Sequence, residues 1–423
     1  MVAAFKHWLS SIYLCPKATQ KKLQKIQHLI SIKEFTEAQK LLGPLLKKRR
    51  GNKLTKLCYI QVLHGTNQLE NALQEASRSA RKFPEELLFR LEEAKILVAM
   101  AKPKEALSAF RVCRPILTKE GDILLFARCY FLVKKHSKCL RILDPFLEQS
   151  ENGDLILLAA DCLSETNHYL QAACYYKRAL TLLGQHQHIF IRLANTLRRL
   201  GNLSEAEEIF RTILEKDRQD LAAILGFGAC LIERGHYQKA LLFYQSSDGW
   251  NLFDARILNQ AAACALKLKR YAEAQKLLEM ALNSGEKTAQ SLAYYGYSLE
   301  CQKKWAQAEQ IYLQIIHTFP DHPHGYRGLA WMFGVGVTTS LSYEEGLSMA
   351  HIALKLIADT TSWEILSACE ARQGNFVRAY EIRAKLAQLD QEATGRARHH
   401  RAMRTLQKKL PLSNHLVTHT LVA

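Results

Sequence analysis

The chain has 423 residues, 48% hydrophobic and 23% charged, enough to bury a sizeable core and ordinary for a globular protein. Nine prolines, twenty glycines and sparse threonine and valine argue against a large sheet, and abundant Ala, Leu, Glu, Lys and Gln favour helix. The formal charge of +18 sits mostly at the two ends: Lys17 to Lys56 carries twelve Lys/Arg against Glu34 and Glu37, and Gln391 onward carries six against Glu392. Eleven cysteines form no CxxC pair, so a disulfide framework is not expected and a reducing, cytoplasmic setting is, with a peripheral place at a membrane or large complex open.

In chain order, MVAAFKHWLSSIYLCPKA comes first. Lys6, His7, Ser10 and Ser11 break its apolar run, no cleavage pattern follows, and Phe5, Trp8, Leu9, Ile12 and Tyr13 fall on one helical face. Residues 1–18 are expected to form a capping or amphipathic helix, and no run is long enough to span a membrane. KATQKKLQKIQHLISIKEF reads as a helix with lysines on one side. KKRRGNKLTK, with Lys47, Lys48, Arg49 and Arg50, reads as a charged turn.

RRLGNLSEAEEIF (198–210) then reveals a period. Gly201, Ala206 and Phe210 recur 34 residues later as Gly235, Ala240 and Tyr244, and 34 residues earlier as Asn167, Ala172 and Tyr176. Two further steps bring Lys269, Ala274 and Leu278, then Lys303, Ala308 and Tyr312. An amphipathic stretch precedes each, with a small residue at one place: Ala160, Ala194, Gly228, Ala262 and Gly296. Gly201, Gly235 and Asn167 suit a positive φ at a helix end, whereas the turns at Lys269 and Lys303 are expected to close differently.

The pattern resembles the tetratricopeptide repeat (TPR), a 34-residue helix–turn–helix unit with W-x2-L-G-x2-Y, A-x3-F and P positions. Phe190, Leu193, Ala194, Leu197, Gly201, Ala206 and Phe210 match it in one unit, and Leu292, Tyr295, Gly296, Leu299, Ala308, Tyr312 and Pro320 in another. Trp363, Leu366, Ser367, Gly374 and Ala379 match it again. Weaker units are anchored by Ala38, by Ala72 with Pro84, by Ala94, Ala106 and Phe110, and by Ala127 with Cys139. The resemblance runs from about residue 19 to 393, roughly eleven units. It implies an all-α fold, a TPR-like α-solenoid in which stacked helix-turn-helix repeats form a right-handed superhelix.

The expected organisation is degenerate repeats over 19–152 and five regular units over 153–322. A unit with a loop insertion follows over 323–359, then a last unit over 360–393 and a basic helix or tail over 394–423. In the inserted unit, Tyr326, Ala330 and Phe333 precede GVGVTTSLS, and Gly346, Ala350 and Ala353 follow it. Gly334 and Gly336 are placed in that protruding loop, and Gly226 and Gly228 at helix-packing positions.

Motifs of chemistry are missing from this frame. Ser204-x-x-Glu207 and Ser342-x-x-Glu345 read as helix capping boxes, which accounts for the glutamates of the opening stretch without catalysis. No P-loop, Rossmann fingerprint, nucleophile elbow, HExxH or EF-hand spacing occurs. The pairs His186/His188, His322/His324 and His399/His400 fall in turns or tail without ligand spacing, so no metal, cofactor or catalytic residue is expected.

Family resemblance implies instead that first helices line a groove. Carried over by position, Arg192, Asn195, Arg198 and Arg199 face it, then Arg256 and Asn259, Tyr297, and Arg327 with Trp331. Arginine forks and asparagine amides suit an acidic or backbone-exposing peptide. The family's lysine-bearing clamp for chaperone tails is not matched, since Ile191 holds the lysine place. The expected function is a non-enzymatic scaffold or adaptor, or a chaperone-like component of a larger assembly, binding a protein partner's segment. The alternative is nucleic-acid binding through the basic ends, Lys47–Arg50 and Arg396, Arg398, Arg401 and Arg404, which also suit an anionic membrane surface.

Overall fold

The computed structural model describes residues 17–47, 53–247, 254–285, 287–337 and 340–417. The expected N-terminal helix and the cluster Lys48, Arg49 and Arg50 lie outside the described residues, as does the side chain of Lys47. The chain divides into two compact units, Met1–Asn202 and Leu203–Ala423. Among the described residues there are 23 α-helices and no strand.

The first unit runs α1 Lys17–Ser31, α2 Phe35–Lys47, α3 Lys53–Gly65, α4 Leu69–Lys82, α5 Leu87–Ala99 and α6 Pro103–Cys113. It continues with α7 Glu120–Leu132, α8 His136–Leu147, α9 Gly153–Glu165, α10 Tyr169–Leu183 and α11 Gln187–Arg199. The second holds α12 Leu203–Lys216, α13 Leu221–Glu233, α14 Tyr237–Ser246, α15 Ala255–Lys267, α16 Tyr271–Asn283 and α17 Ala289–Cys301. After these come α18 Trp305–Thr318, α19 Pro323–Val335, α20 Tyr343–Leu356, α21 Thr360–Arg372, α22 Phe376–Leu389 and α23 Ala393–Gln407. Regular 13-residue first helices alternate with second helices of similar length, as the period requires.

The repeated small and aromatic positions meet in space. Tyr312 of α18 is fully buried, and a Cβ added at Gly296 of α17 or at Gly328 of α19 would lie 2.7 Å and 2.5 Å from its ring. One aromatic side chain thus fills the space against both its own first helix and the next one. Tyr244 makes the same demand on Gly228, at 2.2 Å, and Phe210 on Gly226, at 2.3 Å. Absence of a side chain lets the helices approach until the ring fills the gap, the density a protein interior requires.

Turns between paired helices share one geometry. The amide of Gly201 donates to Arg198 O (3.0 Å) and that of Asn202 to Leu197 O (2.9 Å), the two bonds of a Schellman cap. Lys303 and Lys304 repeat it on Glu300 O (2.8 Å) and Leu299 O (2.9 Å), with Lys303 at φ 60°; Lys269 does likewise at φ 59°. The turns at Lys269 and Lys303 therefore close as the glycine turns do, contrary to expectation. Packing of the flanking helices imposes the left-handed residue whatever side chain stands there.

Three other expectations need correction. Helix α12 already starts at Leu203, so Ser204 is inside it and is no cap. Its Oγ accepts from Arg234 Nη2 (3.0 Å), and Glu207 pairs with Arg234 Nε (3.1 Å), so both tie α12 to the end of α13. Ser342 and Glu345 do form the full capping box on α20. Gly334 is not in a loop: it is buried in α19, where a Cβ would come within 2.9 Å of Ala368 in α21. Gly336 is the left-handed cap of α19. Finally, His399 lies inside α23 and is fully buried.

Two substitutions probe these forces. Lys303→Gly should raise the unfolding free energy by about 1 kcal/mol and with it the denaturant midpoint, because the left-handed conformation disfavours a Cβ by that order. Gly328→Ala should lower stability by about 1–3 kcal/mol, since the ring of Tyr312 has nowhere to move. Chemical denaturation followed by circular dichroism reads both.

Candidate peptide-binding face

In the first unit, α9, α10 and α11 surround an open cavity of about 420 Å³ whose lining includes Asp161, Tyr176, Arg192, Asn195, Arg198 and Arg199. Both oxygens of Asp161 are engaged: Tyr176 Oη donates to Oδ1 (2.7 Å), and Arg192 Nη1 forms an ion pair with Oδ2. Burial pushes the Tyr176 phenol up, so it stays a donor at neutral pH. With Asp161 neutralised in this way, Arg198 and Arg199 at the end of α11 set the local charge, opposed by Glu165.

Arg199 is held over the ring of Tyr169, 5.9 Å from its centroid, and donates from Nη1 to Tyr169 Oη at 3.3 Å. Arg192 and Arg199 are exposed, and Asn195 and Arg198 are half-buried. All four arginine and asparagine positions singled out on α11 therefore meet at one cavity. Asp161 escapes the sequence reading, although it stands one 34-residue period before Asn195, and Tyr176 is legible there only as a packing aromatic. Earlier in the same unit polar links also join successive first helices: Gln61 Nε2 donates to Glu92 (2.9 Å), and Lys95 pairs with Asp122 (2.8 Å).

In the second unit the expected residues are held in differing ways. Arg256 folds back on Asp254, the cap of its own helix α15, with Nε–Oδ1 at 3.2 Å and Nη2–Oδ2 at 3.1 Å. Asn259 is half-buried, with an Oδ1 closed to solvent and no hydrogen-bond partner among the described residues. Tyr297 is half-buried beside Cys301 and Tyr271, and burial pushes its phenol up.

Arg327 and Trp331 do not line an open face. Arg327 is 6% exposed, forms an ion pair with Asp359, and donates twice to Ser362 Oγ (3.0 and 2.7 Å). Trp331 is 7% exposed, and its Nε1 donates to Val417 O at 3.4 Å. Arg327 is thus tied to the start of the next first helix, and Trp331 to the chain beyond the last repeat, which position within the repeat cannot disclose.

Helix α23 is fastened by a buried charged cluster. Glu364 of α21 accepts from Arg398 Nη2 (2.9 Å) and lies 3.5 Å from Arg383 Nη1, and Arg383 Nε donates to Ser367 Oγ (2.8 Å). Glu364, Arg383 and His399 are each fully buried. Burial pushes the Arg383 guanidinium down to about 10, still charged at neutral pH, with Glu364 opposing the shift. Of the expected basic patch, Arg398 is thus spent on Glu364, and Arg396 donates to the backbone oxygens of Asp390 (2.9 Å) and Gln391 (2.8 Å). Arg401 and Arg404 stay on the exposed side of α23.

No group of three or more His, Cys, Asp or Glu able to hold a metal occurs among the described residues. Among those residues, no helix is long and apolar enough to cross a membrane.

Comparison with protein families matches residues 165–229 to the tetratricopeptide repeat and residues 199–281 to anaphase-promoting complex, cyclosome, subunit 3. The matched stretch, residues 165–229, consists of TPR repeats. A comparison with curated proteins gives no match. Among solved structures, a tetratricopeptide repeat protein from Parabacteroides merdae is 15% identical, with 58% of this chain and 98% of that one covered and a TM-score of 0.44. Yeast Tom70 is 14% identical over 93% of this chain and 89% of its own, TM-score 0.43. Cut9 with Hcn1, from an APC/C hetero-tetramer, gives 12%, 94%, 91% and 0.45. Proteins of the TPR fold are generally interaction scaffolds or components of assemblies.

The charged cluster makes the C-terminal repeats sensitive to acid. Arg383 Nη1 lies 3.3 Å from His399 Nδ1, which as the acceptor leaves the ring proton on Nε2, facing Asp390 (3.4 Å) and Glu364 (3.8 Å). Burial pushes the His399 pKa below its ordinary value, with the carboxylates opposing and the two arginines assisting. The folded chain therefore binds fewer protons than the unfolded one, whose histidine titrates near about 6.5, so stability rises with pH through that range. Lowering pH from 7.5 to 5.5 should reduce the urea midpoint, and less so in His399→Gln. The variant is needed as a reference because burial also lowers His64 and His322.

Proposed function

We propose that the chain is a non-enzymatic scaffold or adaptor that binds an extended, acidic segment of a protein partner across α9 and α11. The observation that carries this reading is the cavity in which Arg198, Arg199 and Asn195 converge while Asp161 is already satisfied by Arg192 and Tyr176. A carboxylate of the partner takes the guanidinium donors of Arg198 and Arg199, and the Asn195 amide bonds a backbone amide. Preformed contacts hold Arg199 in place, so little side-chain freedom is lost on binding. The match to a cyclosome subunit over residues 199–281 supports work inside a larger assembly, and a cytoplasmic setting suits the buried free thiols.

The test is fluorescence anisotropy with a labelled ten-residue peptide of alternating Glu and Ala, compared with its Gln/Ala counterpart. Replacing Asn195, Arg198 and Arg199 together by Ala should weaken binding of the acidic peptide at least ten-fold while leaving helicity unchanged. Equal affinity for wild type and variant would remove the proposal. Binding of RNA that falls steeply with salt and vanishes on neutralising Arg401 and Arg404 would favour the basic ends instead.

A further inference from the structure

Upstream, the ninth residue of a first helix stays open to its surroundings: Arg128 in α7 is exposed, and Asn195 in α11 and Tyr297 in α17 are half-buried. Trp331 occupies the same place in α19 and is 7% exposed. Nearly every residue of α19 from Pro323 to Gly334 is buried, as is α21 from Glu364 to Ala371, so this face is covered where others are open. Beyond the neighbouring repeat helices, the cover includes α23, through Arg398 on Glu364, and the stretch LPLSNHLV, residues 410–417, through Val417 on Trp331.

That stretch has the attachments of a bound peptide. Leu412 (1% exposed), Leu416 (4%) and Val417 (3%) join Trp331, Ile365 and Cys369 in one apolar cluster. Its backbone bonds are local, Leu416 N–H to Ser413 O at 2.9 Å and Val417 N–H to Asn414 O at 3.4 Å, and Trp331 Nε1 donates to Val417 O. Leucines four residues apart, Leu412 before a single 3-10 turn at Asn414–Leu416 and Leu416 at its end, act as anchors, the arrangement by which short amphipathic segments dock on helical surfaces.

The segment is also built to part from its neighbours. It leaves α23 through exposed Lys408 and Lys409, the latter at φ 54°, and then exposed Leu410 and Pro411. Helix α23 has fastenings of its own besides the tail, Arg398 on Glu364 and Ala402 and Leu406 in the core.

We propose that residues 410–417 are a built-in ligand that occludes a second docking face, over Trp331 in α19 and against α21. A partner segment that places two leucine-like side chains four residues apart across a similar turn competes for this face. This inference is independent of the arginine-lined cavity, since it concerns apolar recognition in the other unit and uses none of its residues.

The test uses the full chain carrying Leu412→Asp and Leu416→Asp, with the labelled peptide KKLPLSNHLV as probe. Anisotropy should show the peptide binding this variant at least ten-fold more tightly than wild type, and adding Trp331→Ala should abolish that gain. Equal binding to variant and wild type, or no binding to either, overturns the proposal. Should the double variant lose helicity, a second measurement decides. Leu416→Cys in the otherwise wild-type chain is exposed to a maleimide under native conditions, and labelling at position 416 is compared by mass spectrometry with that of buried Cys369. Labelling at 416 at least ten-fold faster than at Cys369 shows the tail leaving while the repeats stay folded. Equal rates show that it leaves only on unfolding, and overturn the proposal.

Discussion

The structure of each unit depends on contact between a side chain that is missing and one that is large. Tyr312 between Gly296 and Gly328 shows this most plainly: the ring can reach two helices only because neither has a Cβ in its way. The packing sets the spacing of the helices, and the spacing sets the turns. Left-handed residues at Gly201, Lys269 and Lys303 follow from it, with glycine or without. A lysine at φ near 60° is tolerated because the packing of two helices outweighs about 1 kcal/mol of local strain.

Because the small and aromatic positions take up the helix–helix interfaces, the remaining positions of the first helices are released for polar chemistry. In the first unit they carry links from helix to helix: Gln61 to Glu92, Lys95 to Asp122, Asp161 to Arg192. Each such pair is partly solvated and contributes little to stability, on the order of 1 kcal/mol or less. Their larger effect is to arrange charge, leaving Arg198 and Arg199 beside an acidic residue that is already satisfied.

At the C-terminal end the same positions serve closure. Glu364 of α21 is fully buried, with Arg383 of α22 and with Arg398 and His399 of α23 against it. A buried ion pair is a weak source of stability, but breaking it strands a charge, so the cluster specifies one docking of α23. The basic C-terminus is therefore two things: an inner side committed to Glu364 and the core, and an outer side carrying Arg401 and Arg404.

The period of 34, the alternation of helices, the small and aromatic packing places and the gathering of Arg192, Asn195, Arg198 and Arg199 were legible in the sequence. Each is a local or strictly periodic property, and the repeat carries it from one unit to the next. What period cannot register is a contact made by a segment outside the period, or a pairing that one repeat makes and the others lack. Trp331 is closed by Val417, 86 residues away along the chain, and Arg327 by Asp359 and Ser362 at the start of the next first helix. Ser204 and Glu207 matched a local capping motif, yet bond Arg234, the residue that ends the next helix. Sequence alone determined the repeated helix pair and its charges. Tertiary structure decided which of those charges and aromatic rings stay available, because availability depends on what the rest of the chain lays over them.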